Sequence, residues 1–167
     1  MKVKYGKDVV VAFGAANFAV NSKGCKSAPK KKVRRQLEMH GIRVDLVDEM
    51  RTSKCCLKCA LFSGVAAEKK LAVIGTHVRN DETGEYVVQK RESWHVVKCT
   101  NCGHYYQRDR SAAQTILFLQ HCEVEFARRP WVFIRGIWWS RLKKKASVEE
   151  EPFLKKCQKM HKNLFPM

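Results

Sequence analysis

Acidic side chains are scarce in this 167-residue chain: 16 Asp and Glu stand against 33 Lys and Arg, a formal charge of +17. A surplus this large opposes self-association and suits a polyanionic partner. Nucleic acid is the first expectation and an anionic membrane surface the weaker alternative. Long apolar runs are also missing. No stretch approaches the roughly 18–20 residues needed to span a bilayer, which excludes a membrane-embedded helical protein. No internal repeat is visible, which excludes a repeat array. A secretory signal is imitated but not made. Lys2, Lys4 and Lys7 precede the apolar run Val9 to Val20, yet Asp8 sits at the junction, Asn17 interrupts it and no small-x-small cleavage site follows. The expectation is an intracellular chain whose eight cysteines serve metal in part, rather than disulfides.

What is present suffices for one compact domain. Hydrophobic residues make up 45% and aromatics 10%, too much for a disordered basic tail. Asp8 to Phe13 is β-branched and predicts a buried strand ending at Gly14. A loop from Asn21 to Ala28 leads to Pro29, which suits the first turn of a helix through Met39, stopped at His40-Gly41. Val33 and Leu37 share one face of that helix, and Lys30, Lys31, Lys32, Arg34 and Arg35 cover the others. Ile42 to Asp48 alternates apolar and polar residues as a half-exposed strand does. Strand, helix, strand in this order indicates an α/β sheet domain. From Thr52 to Gly103 the chain turns into a cysteine-bracketed insertion, with strand candidates at Leu71 to His77, Glu85 to Lys90 and Trp94 to Lys98 and a turn at Asn80 to Gly84. Arg110 to Gln120 predicts a helix. A basic, aromatic tail follows.

The cysteines carry the strongest signal. Cys56-Leu-Lys-Cys59 and Cys99-Thr-Asn-Cys102-Gly103 are two C-x-x-C pairs with 39 residues between them. Zinc prefers four thiolates in a tetrahedron, and a two-residue gap lets both sulfurs of one knuckle face one ion. Gly103 permits the tight backbone such a knuckle needs. Two pairs bracketing short strands describe a zinc ribbon, although the interval is longer than usual. Ordinary buried thiols are the plain alternative. A redox C-x-x-C is disfavoured, because neither pair opens a helix after a strand. Cys55 and Cys59 also stand as a C-x3-C pair, so spacing alone leaves the first ligand open between Cys55 and Cys56. Cys25, Cys122 and Cys157 have no partner at ligand spacing and read as plain thiols.

Two carboxylates flank the ribbon. Taken alone, Glu49 is a solvated strand end and Asp109 a helix N-cap. Yet the run Val47-Asp48-Glu49-Met50-Arg51-Thr52-Ser53-Lys54-Cys55-Cys56-x-x-Cys59, then Cys99-x-x-Cys102-Gly103, then Arg108-Asp109-Arg110-Ser111-Ala112-Ala113-x-x-Ile116-Leu117 resembles the C-terminal part of the TnpB/Fanzor proteins. These are transposon-encoded RNA-guided DNA nucleases related to compact type V CRISPR effectors. Val10 to Ala16, Ala28-Pro29 and Glu49 are similar to the Fanzor branch. The resemblance covers roughly residues 8–121. It implies a partial RuvC-like, RNase H-type α/β fold over residues 1–50, a zinc ribbon insertion over 51–107 and a RuvC-like helix over 108–122, leaving 123–167 as a basic aromatic tail. It implies Cys56, Cys59, Cys99 and Cys102 as structural Zn2+ ligands, the first at the longer of the family's two spacings, with two residues between it and the Thr-Ser pair.

The same resemblance places Glu49 and Asp109 at the second and third acidic positions of a two-metal nuclease site, with Mg2+ as the ion if the site is catalytic. The family's first acid, an Asp on the opening strand, has no match here. Ala15 stands where the Fanzor branch often has Asp, and Ser111 replaces an Asn. The expectation is therefore DNA binding, with guide RNA as a further partner, and no cleavage by this chain alone. The alternatives are an RNA-guided endonuclease whose missing acid comes from another chain, and a zinc-ribbon scaffold for proteins. Arg51, Lys54, Arg108 and Arg110 join the Lys30–Arg35 run as expected nucleic-acid contacts. That run also resembles a nuclear localisation signal, giving the nucleus in a eukaryotic cell and the cytoplasm otherwise. Trp131, Trp138 and Trp139, interleaved with Arg128, Arg129, Arg135 and Arg141, suit either base stacking or core packing, and packing is favoured.

Overall fold

A computed structural model of the chain describes residues 9–15, 29–135 and 150–166. Asp8, the 21–28 loop with Cys25, and Trp138, Trp139, Arg141 and 143–145 lie outside the described residues. The architecture is mixed α/β. Strand β1, Val10–Gly14, pairs in parallel with β2, Arg43–Val47, in the register Val10 to Arg43 through Gly14 to Val47. Between them lies helix α1, Lys30–Met39, opened by Pro29 and closed at His40.

The expected burial of β1 is not met. Only two strands make up this sheet among the described residues, so β1 has one hydrogen-bonded neighbour and Val10 reaches solvent. Parallel strands are fully buried only when helices cover both faces. For the same reason the Val33–Leu37 face of α1 is only partly covered: Val33 is 45% exposed, Leu37 is half-buried, and the helix fully buries no residue. The alternation expected of β2 also shifts, with Leu46 exposed and Val47 fully buried.

A second, antiparallel sheet has the order β3-β4-β5. It consists of β3, Lys69–Arg79, β4, Tyr86–Cys99, and β5, Tyr105–Gln107. The two strands expected at Glu85 to Lys90 and Trp94 to Lys98 are one, because the charged run Lys90-Arg91-Glu92 continues the ladder opposite Gly75, Ile74 and Val73. A bulge separates the pairs Leu71–Val97 and Ala72–Ser93. There the Ser93 hydroxyl accepts from the His95 and Val96 N–H groups, and Trp94 is turned out to solvent.

Helix α2, Arg108–Phe126, is longer at both ends than the expected Arg110 to Gln120. Its N-cap is the Gln107 side chain, which accepts from the Arg110 N–H, so Asp109 is a first-turn acid and not the cap. The tail adds a 3-10 turn, Trp131–Phe133, and helix α3, Glu151–Leu164. It is no appendage. Phe153, Leu154 and Cys157 of α3 enter the main core with Phe118, Leu119 and Cys122 of α2, Val132 and Phe133 of the turn, Leu57 and Leu61 of the ribbon base, and Val47 of β2. Trp131 packs on this core, as the packing reading expects. Cys122 and Cys157, read as unrelated thiols, face each other at 3.9 Å between α2 and α3. No described helix is long and apolar enough to cross a membrane.

Candidate metal centre and nucleic-acid surface

The first knuckle is set by a single antiparallel bridge. Cys55 pairs with Glu68, and the Cys56 N–H donates to the Ala67 carbonyl. Consecutive side chains on extended backbone point to opposite faces. Cys55 therefore enters the helical core beside Val47 and Phe118, while Cys56 faces a second cluster with Cys59, Ala67 and Cys99. Burial pushes the Cys55 thiol up to about 11, as expected of a thiol left protonated in a core. After Cys56 the chain enters a short π-helical turn, Cys59–Ser63. The second knuckle joins the end of β4 to β5, where Gly103 takes φ +69° and its N–H returns to the Cys99 carbonyl. An L side chain rarely adopts that backbone.

The Sγ atoms of Cys56, Cys59, Cys99 and Cys102 all lie within 4.8 Å of one another. Cys56 to Cys102 is 3.9 Å and Cys59 to Cys99 is 3.7 Å. Four sulfurs at about 2.3 Å from a tetrahedral zinc are about 3.8 Å apart, so these thiols fit such an ion. They are too far apart for disulfides, whose sulfurs bond at about 2.05 Å. Among the described residues no other group of three or more Cys, His, Asp or Glu side chains is close enough to share an ion. Glu49 and Asp109 belong to no such group, and nothing here supports a Mg2+ site.

Hydrogen-bond donors approach the sulfurs, while burial pushes the Cys56 and Cys59 thiols up. The Asn101 N–H donates to Cys99 Sγ and its side-chain amide to Cys59 Sγ, each at 3.4 Å, and the Tyr106 hydroxyl lies 3.2 Å from Cys56 Sγ. Burial opposes ionisation of Cys102. The His104 backbone N–H and the three neighbouring thiols outweigh it and bring Cys102 to about 7. Lys69, paired with Cys99 across the ladder, is 6% exposed. Its ammonium donates to the Thr52 carbonyl at 3.1 Å and Ser111 Oγ at 2.9 Å. Burial lowers its pKa, and the neighbouring sulfurs of Cys56, Cys55 and Cys99 work the other way. Neither Lys69 nor Tyr106 stands out in the sequence.

The flanking carboxylates are placed differently from each other. Asp109 is exposed on α2 between Arg108 and Arg110, which are also exposed. Glu49 is half-buried and accepts from Lys30 Nζ at 3.1 Å. Its carboxylate lies against the bare Cα of Gly14, where an added Cβ would stand 1.6 Å from Oε1. Gly14→Ala is therefore expected to expel Glu49 and break the Lys30 pair, costing about 1–3 kcal/mol in urea unfolding. Adding Glu49→Ala should recover most of that loss, the signature of coupled neighbours.

The basic residues divide in two. Lys31, Lys32, Arg34 and Arg35 on α1 are exposed, as are Lys54 and Lys58. Lys30 is engaged with Glu49, and Arg51 turns inward. At 9% exposure, in a left-handed conformation (φ +62°), Arg51 donates to the Val132 carbonyl at 3.0 Å. It ties the start of the ribbon to the 3-10 turn and does not line the surface. Asp48 is taken up similarly: Arg135 holds its carboxyl below the usual carboxylate range against a smaller opposing effect of burial.

Fold and site together define a β-ribbon domain closed by four thiols with the geometry of a metal centre, in a strongly basic chain. Residues 29–116 match the Cas12f1-like, TNB domain family, and because that span is more than half of the chain, the chain belongs to this family. Membership relates it to the TnpB and Cas12f-type nucleases and implies interaction with nucleic acid. No curated protein matches the chain.

Proposed function

We propose that this chain is a zinc-ribbon module of TnpB/Fanzor type that binds target nucleic acid, with DNA as the main partner, and does not cut it alone. The observation that carries the reading is the cluster of four thiols at zinc-ligand distances inside the span matched by the family. Cys56, Cys59, Cys99 and Cys102 would hold the ion, which supplies structural cross-linking of the two knuckles and no reaction step. A zinc with four thiolates carries a net charge of about −2, and the buried Lys69 ammonium with the Asn101 and Tyr106 donors supports that charge. Lys31, Lys32, Arg34, Arg35, Lys54, Arg108 and Arg110 supply phosphate contacts.

Residues 9–15 and 29–50 with α2 are, in this reading, a RuvC-like remnant, with Glu49 and Asp109 at its acidic positions. Two-metal cleavage needs carboxylates that hold two ions about 4 Å apart. Glu49 is instead paired with Lys30. Incubating the zinc-loaded chain with labelled single-stranded DNA in Mg2+ or Mn2+ at low salt is expected to give a retained complex and intact strands. Cleavage that stops in Asp109→Ala would overturn the non-catalytic reading and favour the nuclease.

A further inference from the structure

A groove of about 580 Å³ lies beside the thiol cluster, where the ribbon, α2 and α3 meet. Its volume is that of a small-ligand site. Five ring-bearing side chains contribute to it: Phe62, His104 and Tyr106 from the ribbon, His161 and Phe165 from the C-terminal segment. These rings are already ordered. His161 meets Phe62 edge-on at 5.8 Å between centroids and Phe165 at 5.1 Å, while His104 meets Tyr106 at 4.7 Å. Phe62 nevertheless keeps 41% of its surface in water, and an open apolar concavity of this kind marks a binding site more often than an accident of packing.

The polar members narrow the ligand class. Gln114 of α2 lines the groove, half-buried, with an amide that both donates and accepts, the pairing that matches a base edge. Two lysines, Lys58 and Lys162, line it as well, and among the described residues no carboxylate does. Burial lowers the His161 pKa, so at neutral pH its ring is uncharged and adds no repulsion to the two ammonium groups. Aromatic faces, one amide and two cations match a planar heterocycle attached to phosphate. Residues 161–165 lie outside the 29–116 span shared with the family, so the groove is completed by a part of the chain that the family match does not include.

We propose that this groove receives an unpaired base of a single-stranded nucleic acid, with the adjoining phosphate on Lys58 and Lys162. The proposal rests on the nucleic-acid-binding reading above and adds a base-dependent contact to its charge-driven one. Stacking of one base on aromatic side chains is worth enough to change affinity about tenfold.

The test uses the full zinc-loaded chain and fluorescence anisotropy with four 12-mers: thymidine DNA, uridine RNA and the abasic sugar–phosphate counterpart of each. Base-bearing strands are expected to bind about tenfold tighter than their abasic counterparts. The Phe62→Ala/Gln114→Ala double variant is expected to lose that factor, keeping the abasic affinity, the salt slope and a cooperative, if lowered, melting transition. Base dependence with either sugar supports the groove, and the strand showing the larger factor names its source. Equal binding of base-bearing and abasic strands, or a double variant that binds like the parent, overturns the groove assignment and leaves the charge-driven reading standing. If no strand binds at all, both readings fall.

Discussion

Replacing Cys59 or Cys99 with alanine is expected to unfold the ribbon. Both are about 1% exposed, at the centre of the small cluster that holds Cys56 and Ala67. That cluster contains little else, so its apolar burial cannot order an 11-residue and a 14-residue strand and two knuckles unaided. Structural zinc supplies about 10–16 kcal/mol of apparent binding free energy in small zinc folds, as much as the whole stability of an ordinary domain. Losing one ligand removes most of it. Circular dichroism should show loss of the strand signal, elemental analysis should fall from about one zinc per chain towards none, and a strong chelator should reproduce both in the parent protein. Cys55→Ala is the control. It vacates a small volume in the other core, costs about 1–3 kcal/mol, and keeps the zinc.

The second large effect is on salt. Nucleic-acid affinity should fall by about 10³–10⁵ between 50 and 200 mM salt if six to ten phosphates are contacted, because each neutralised phosphate releases condensed counterions. Neutralising Lys31, Lys32, Arg34 and Arg35 together should flatten the logarithmic salt slope by up to about four, roughly one for each phosphate that no longer has a cation against it. Arg51→Gln should behave differently. Its guanidinium is spent on the Val132 carbonyl, so the change should lower stability while leaving the slope unaltered. An unchanged slope in the quadruple variant would place the phosphate contacts elsewhere than α1.

The sequence made the ribbon legible because thiol ligands are rare, short in reach and regular in spacing. It left Cys55 against Cys56 open, since both are one or two residues from the same motif. Strand alternation at the Cys55–Glu68 bridge turns one thiol into each core. The α1 helix and its ends were legible from Pro29 and Gly41, but its burial was not. Burial depends on how many strands lie beneath, and only two are present among the described residues. The tail does carry a readable signal: Phe153, Cys157, Met160 and Leu164 recur at helical spacing beneath a coat of lysines. Composition draws attention to the charge and hides that stripe. The roles of Glu49, Arg51 and Lys69 were out of reach, because each depends on partners 19, 81 and 42 residues away in the chain.

X-ray absorption at the zinc edge of the purified chain tests the central claim most directly. Four sulfur neighbours at about 2.3 Å, with no nitrogen or oxygen in the shell, are expected from Cys56, Cys59, Cys99 and Cys102. A shell containing His104 nitrogen or water, a mixed shell of two sulfurs, or a protein that carries no zinc would contradict the four-thiolate centre on which the account stands.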